Sequence, residues 1–134
     1  MLKKQNEYLI DTDVIEEHLL HKKKEDETYL EKLLQRGICF STVLNASELL
    51  YKAATEIEQQ MVLDILSGLK ILGLNSRYSL LVPKYSAHTK NYSEALFCVV
   101  ADYNKLPIVT LNKYRYRKIE LTIYHPDEIL FTDK

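Results

Sequence analysis

The apolar run Tyr8, Leu9, Ile10 ends abruptly on Asp11, Thr12 and Asp13, and an amphipathic stretch begins at once. That pattern describes a buried parallel strand whose carboxyl end carries a carboxylate. In open α/β sheets this edge is where ligands and metals bind. A carboxylate taken out of water there needs a cationic partner. Three further residues could share one with Asp11. Glu48 lies one turn into a helical stretch, Glu94 opens an apolar helix, and Asn112 ends the run IVTLN. On its strand, Asn112 holds the place that Asp11 holds on the first. Each has an ordinary explanation when taken alone. A helical Glu usually faces solvent, an acid in a first turn suits the helix dipole, and Asn is a common turn residue.

The elements that must position these groups can be read from periodicity. Residues 7–10 form a first strand, followed by a helix over 13–20 capped by Thr12 or Asp13. A second helix covers 26–35, with Leu30, Leu33 and Leu34 as its apolar stripe and Gly37 as its stop. Strands are expected at 38–42, 71–74, 106–111 and 121–124. Helices are expected at 44–55, 56–69 and 92–103, the last capped by Asn104. The helix 56–69 carries Ile57, Met61, Ile65, Leu66 and Leu69 on one side. Residues 76–88 read as a helix that Pro83 breaks or kinks. A polar tail follows Pro126. Strands alternating with helices imply a mainly parallel sheet of four or five strands with helices on both faces, a three-layer α/β/α fold.

With 134 residues the chain is long enough for one domain with a real core, over 1–134, and too short for two. Its 46% hydrophobic and 28% charged residues are those of an ordinary globular protein. No apolar run reaches membrane-spanning length and no signal-peptide pattern opens the chain, so a cytoplasmic location is expected. Cys39 and Cys98 sit in apolar stretches and read as buried thiols. Three glycines are too few for a phosphate-cradling loop or a dinucleotide fingerprint. His18, His21, His88 and His125 are scattered, without metal-ligand spacing, and read as surface residues. A net charge of −1 gives no global signature of nucleic-acid binding. The charges are uneven, however. Lys22, Lys23 and Lys24 read as a solvated cluster, whereas Lys113, Arg115, Arg117 and Lys118 alternate with Tyr114 and Tyr116. Cationic and aromatic side chains together suit phosphates and stacked bases.

The order of these residues resembles the PIN domain, and in particular the VapC-type toxin endoribonucleases. LIDTDVI resembles the family's first motif and puts Asp11 on its aspartate. STVLNASELLYKA resembles the second and puts Glu48 on the family glutamate. ALFCVVADYNKLPIVTLN resembles the third block, with Glu94 where the family normally has Asp. Asn112 falls on a fourth position, Asp in many members and Asn in others, and Tyr116 stands where Phe is frequent.

The resemblance implies hydrolysis of RNA to a 5′-phosphate and a 3′-hydroxyl. It makes Asp11, Glu48 and Glu94 catalytic metal ligands, with Asn112 and Asp13 as supporting ligands. Thr110 would orient an acid. Oxygen donors without His or thiolate select Mg²⁺ or Mn²⁺, and such a metal activates water and offsets phosphodiester charge. Lys113, Arg115 and Arg117 would hold the RNA backbone, so that Arg115→Ala and Arg117→Ala lose RNA binding with metal binding intact. A toxin role implies a small antitoxin partner inserting a cation into the acid cluster, and a homodimer. Glu94 and Asn112 depart from the commonest family residues, which supports an alternative. In that reading the chain is a catalytically impaired PIN-like module binding RNA or protein. A phosphate-accepting receiver domain is disfavoured, because the run ILGLNS lacks the acceptor Asp.

Overall fold

The computed structural model describes residues 6–21 and 26–131. Lys22, Lys23 and Lys24 fall outside these residues. Five strands form one sheet in the order β3-β2-β1-β4-β5, and every pairing is parallel. The strands are β1 (Asn6–Ile10), β2 (Gly37–Thr42), β3 (Lys70–Leu72), β4 (Ile108–Val109) and β5 (Ile123–Tyr124). The register sets Tyr8 beside Cys39 and Ile10 beside Val109.

Strand alternation divides the core in two, because successive side chains point to opposite faces. Leu9 and Ile108 pack on one face with Ala95, Phe97, Cys98 and Ala101 of α7 (Tyr92–Asn104). Tyr8, Ile10, Cys39 and Val109 face the other layer. That layer holds α1 (Thr12–Leu20), α2 (Tyr29–Leu34), α3 (Val43–Lys52), α4 (Glu56–Leu66) and the later α8 (Pro126–Leu130). Helices on both faces of a parallel sheet give the expected three layers. Both cysteines are free and buried, and burial pushes each thiol pKa up to about 12.

Several local expectations change. The cap of α1 is Asp11 itself, accepting from the Thr12 amide at 2.8 Å. Helix α2 starts three residues later than expected, because Thr28 and Glu31 form a capping box. Leu30 and Leu33 are buried on it, while Leu34 is exposed. Gly37 does not stop α2; it is the first residue of β2, opposite Asn6. On α4, Ile57 and Met61 are exposed and Val62 faces the core. The 76–88 stretch becomes α5 (Tyr78–Leu81) and α6 (Pro83–Ser86), with Pro83 opening the second helix as its ring permits.

Asn104 is not the cap of α7. Lys105 ends that helix in the left-handed conformation (φ 54°), and Asn104 donates back to the Val100 carbonyl at 2.8 Å. Residues 126–130 are helical rather than a polar tail. Pro126 occupies the first turn, the His125 side chain accepts from the Asp127 amide, and Leu130 is buried. His18 is half-buried and meets the Thr28 hydroxyl at 2.7 Å, so these two histidines have structural roles.

Candidate active site

The strand order fixes where a site can form. The chain lays β1, β2 and β3 to one side and then crosses to β4 on the other. Connections therefore diverge at the carboxyl ends of β1 and β4, which opens a crevice. Asp11 follows β1 there, and Thr110 follows β4. Both are buried. The Thr110 hydroxyl lies 3.0 Å from Asp11 Oδ2 and 3.0 Å from Asp13 Oδ2. Asp13 also accepts from the Leu111 amide at 3.2 Å. Burial, and then the nearby Asp11 charge, push the Asp13 pKa above its ordinary value.

Glu94 joins this group from the first turn of α7, where the Asn91 side chain caps the Glu94 amide. Asp11, Asp13, Glu16, Asn45, Glu48 and Glu94 line one groove together with Arg115 and Tyr116. Glu48 is an exposed rim residue whose carboxylate meets Lys52 at 2.9 Å. Glu16 is 3.7 Å from the same ammonium. Asn45 is buried and ties the groove floor together, donating to the Thr12 hydroxyl at 2.7 Å. Sequence reasoning missed Glu16 and Asn45. Their one signal was helical spacing. Glu16 follows Asp13, and Asn45 precedes Glu48, by the three residues that put two side chains on one helix face.

Arg115 is the residue whose place differs most from expectation. The sequence reading sets it on the RNA backbone, yet its Nη2 forms an ion pair with Asp11 Oδ2. The same nitrogen is 3.6 Å from Asp13 Oδ2, and its Nε is 3.6 Å from Glu94 Oε2. Tyr116 adds its hydroxyl to Asp11 Oδ2 at 2.7 Å. Burial and the Asp11 charge hold the Tyr116 hydroxyl protonated well above the usual range. Lys113 pairs with Glu128 at 2.9 Å. Arg117 stacks on the Tyr114 ring, 3.9 Å from its centroid.

A second groove adjoins the first. It is lined by His88, Lys90, Tyr114, Arg117 and Lys118, with Asn112 on its wall. Asn112 thus lines the basic groove and not the acidic one, while Lys90, Glu94 and Arg115 border both. An acidic pocket beside a cationic, aromatic channel suits a polyanion whose backbone passes the carboxylates.

The family profile for the PIN domain matches residues 8–120. The chain belongs to the PIN domain family. No curated protein matches this PIN domain in sequence. Solved structures with similar folds include VapBC2 from Rickettsia felis bound to a DNA fragment from its promoter. It has 18% identity and a TM-score of 0.73, over 89% of this chain and 98% of that one. VapBC-1 from nontypeable Haemophilus influenzae has 13% identity and a TM-score of 0.74, over 90% and 98%. FitAcB from Neisseria gonorrhoeae has 14% identity and a TM-score of 0.69, over 89% and 97%. No helix among the described residues of this PIN domain is long and apolar enough to cross a membrane.

The donor chemistry of the acidic groove is right for a hard divalent cation, but its arrangement does not fit one as it stands. Asp11 Oδ2 already receives Thr110, Arg115 and Tyr116, and Oδ1 receives the Thr12 amide. The Arg115 and Tyr116 donors alone fill the two lone pairs of Oδ2, so that oxygen has none left for a metal, while Oδ1 keeps one. Glu48 is held by Lys52. No three His, Cys, Asp or Glu side chains among the described residues form a group that could hold a metal ion.

Proposed function

We propose that this PIN domain is an endoribonuclease, the toxin of a toxin–antitoxin pair acting in the cytoplasm on RNA phosphodiesters. The observation that carries the reading is the junction of the two grooves. Asp11, Asp13 and Glu94 lie at the carboxyl edge of the sheet, beside a channel of Lys90, Tyr114, Arg117 and Lys118. In this reading Asp11, Glu48 and Glu94 are the catalytic acids, Asp13 is a supporting ligand, Thr110 orients Asp11, and the channel grips the backbone. Asn112 contributes to the channel wall. Mg²⁺ or Mn²⁺ is the cofactor that such oxygen donors select. The reading requires Arg115 to leave them. A small antitoxin covering the groove and a homodimer complete the proposal; the similarity in fold to VapBC complexes supports the antitoxin.

A second reading is favoured by one observation. The cation in the acid cluster belongs to the chain itself, as expected of a PIN domain that binds RNA without cutting it. Incubation with RNA and Mn²⁺, with and without EDTA, separates the two. The nuclease reading expects cleavage that EDTA stops and that Asp11→Asn abolishes. Equal cleavage by wild type and Asp11→Asn would sink the catalytic assignment. RNA retained without cleavage would favour the binding module.

A further inference from the structure

We infer that Arg115 is a built-in counter-ion that competes with a divalent cation for the acidic groove, so that metal binding requires the guanidinium to be displaced. The inference rests on the proposed function only in taking that groove to be a cation site. Three observations carry it. First, the guanidinium reaches three carboxylates from three different elements: Asp11 after β1, Asp13 on α1 and Glu94 on α7. Second, its closest carboxylate atom is Oδ2 of Asp11, the most enclosed of these three acids and one a metal would need. Two cations cannot share that oxygen at contact distance without strong repulsion. Third, Arg115 Nε is buried without a hydrogen-bond partner, 3.6 Å from Glu94. Its seat is therefore imperfect: the arginine neutralises the acids while leaving one of its own donors unsatisfied.

Burial alone disfavours the Arg115 charge, but Asp11, Asp13 and Glu94 outweigh it and its pKa is raised. The acids thus hold the arginine by charge, while Tyr116 packs beneath it, with the guanidinium carbon 5.1 Å from the ring centroid. A guanidinium is always charged near neutral pH, so nothing short of a competing cation or anion releases it. The same side chain borders the basic groove.

The test is calorimetric titration of the full chain with Mn²⁺, comparing wild type, Arg115→Gln and Arg115→Lys. Arg115→Gln is expected to bind Mn²⁺ at least about tenfold more tightly, since it removes the competitor and keeps most of the side chain's volume. Arg115→Lys keeps a cation and is expected to stay near wild type. Equal affinity in wild type and Arg115→Gln overturns the inference. If cleavage remains Mn²⁺-dependent in that case, the nuclease reading survives. Absence of Mn²⁺ binding in Arg115→Gln overturns both the inference and the cation-site reading. A second measurement uses wild type alone, in case the variant does not fold. The Arg115 Nε–H NMR signal is expected to move on Mg²⁺ titration, with the midpoint seen by calorimetry. A signal that stays fixed at saturating Mg²⁺ overturns the competition.

Discussion

Thr110 has one hydroxyl proton and two carboxylate oxygens at 3.0 Å, so it can donate to only one of Asp11 and Asp13 at a time. The unserved acid keeps its repulsion with the other. Asp13 bears this cost: burial first, and then the Asp11 charge, raise its pKa above the ordinary 3.8. The folded state therefore holds the Asp13 proton more tightly than the unfolded chain does. Its destabilising effect is absent below pH 3.8, grows as pH rises towards the folded pKa, and stays constant above it. Asp13→Asn mimics the protonated form and can still accept from Leu111. In EDTA, the variant is expected to melt a few degrees above wild type at neutral pH, with the gap closing on acidification. Melting curves that stay parallel across pH would refute this. Asp11 and Asp13, which line one groove, were readable as candidates because they follow the end of an apolar strand. The resemblance implied that Thr110 orients an acid; that its one hydroxyl lies between two of them was not readable, because Thr110 is 99 and 97 residues away from them.

At the level of elements, Gly37 shows how a parallel pairing constrains one position. A Cβ there would press on the Asn6 backbone, 2.9 Å from its carbonyl carbon. The close approach of β1 to β2 at this point requires glycine, whereas its place after α2 suggested a helix stop. Gly37→Ala is expected to lose about 1–3 kcal/mol in urea denaturation, the usual cost of overpacking. Gly73→Ala meets nothing within 4 Å and serves as the control, expected to match wild type. An unchanged midpoint for Gly37→Ala would mean that the β1–β2 register can shift. Helix ends were the least legible part of the chain. Asp11 caps α1 and lines the acidic groove, and the box of Thr28 and Glu31 starts α2 at Tyr29, just before Leu30, the first residue of its apolar stripe. Pro83 was legible as a break, since its ring allows a first turn but not a helix interior.

For the whole molecule, a net charge of −1 conceals two opposed grooves that meet at Lys90, Glu94 and Arg115. If the basic groove carries the RNA backbone, the effect belongs to the salt dependence of binding. Arg117→Ala and Lys118→Ala, measured in EDTA on single-stranded RNA, are each expected to lower the slope of log affinity against log salt by about 0.7. Slopes equal to wild type would place the RNA elsewhere. Lys113 is expected to matter less, because Glu128 already engages it.

The sequence by itself determined the α/β layering, the parallel sheet and the carboxylates at strand ends. Each follows from local periodicity and from where an apolar run stops. Only the tertiary structure decided which charges meet. The order β3-β2-β1-β4-β5 sets β4 against β1 and carries Arg115 across 104 residues to Asp11. The same packing leaves Glu48 on the rim with Lys52 and turns Asn112 towards the basic groove. Partner choice among charges depends on strand order and burial, which one residue's neighbours in the chain do not specify.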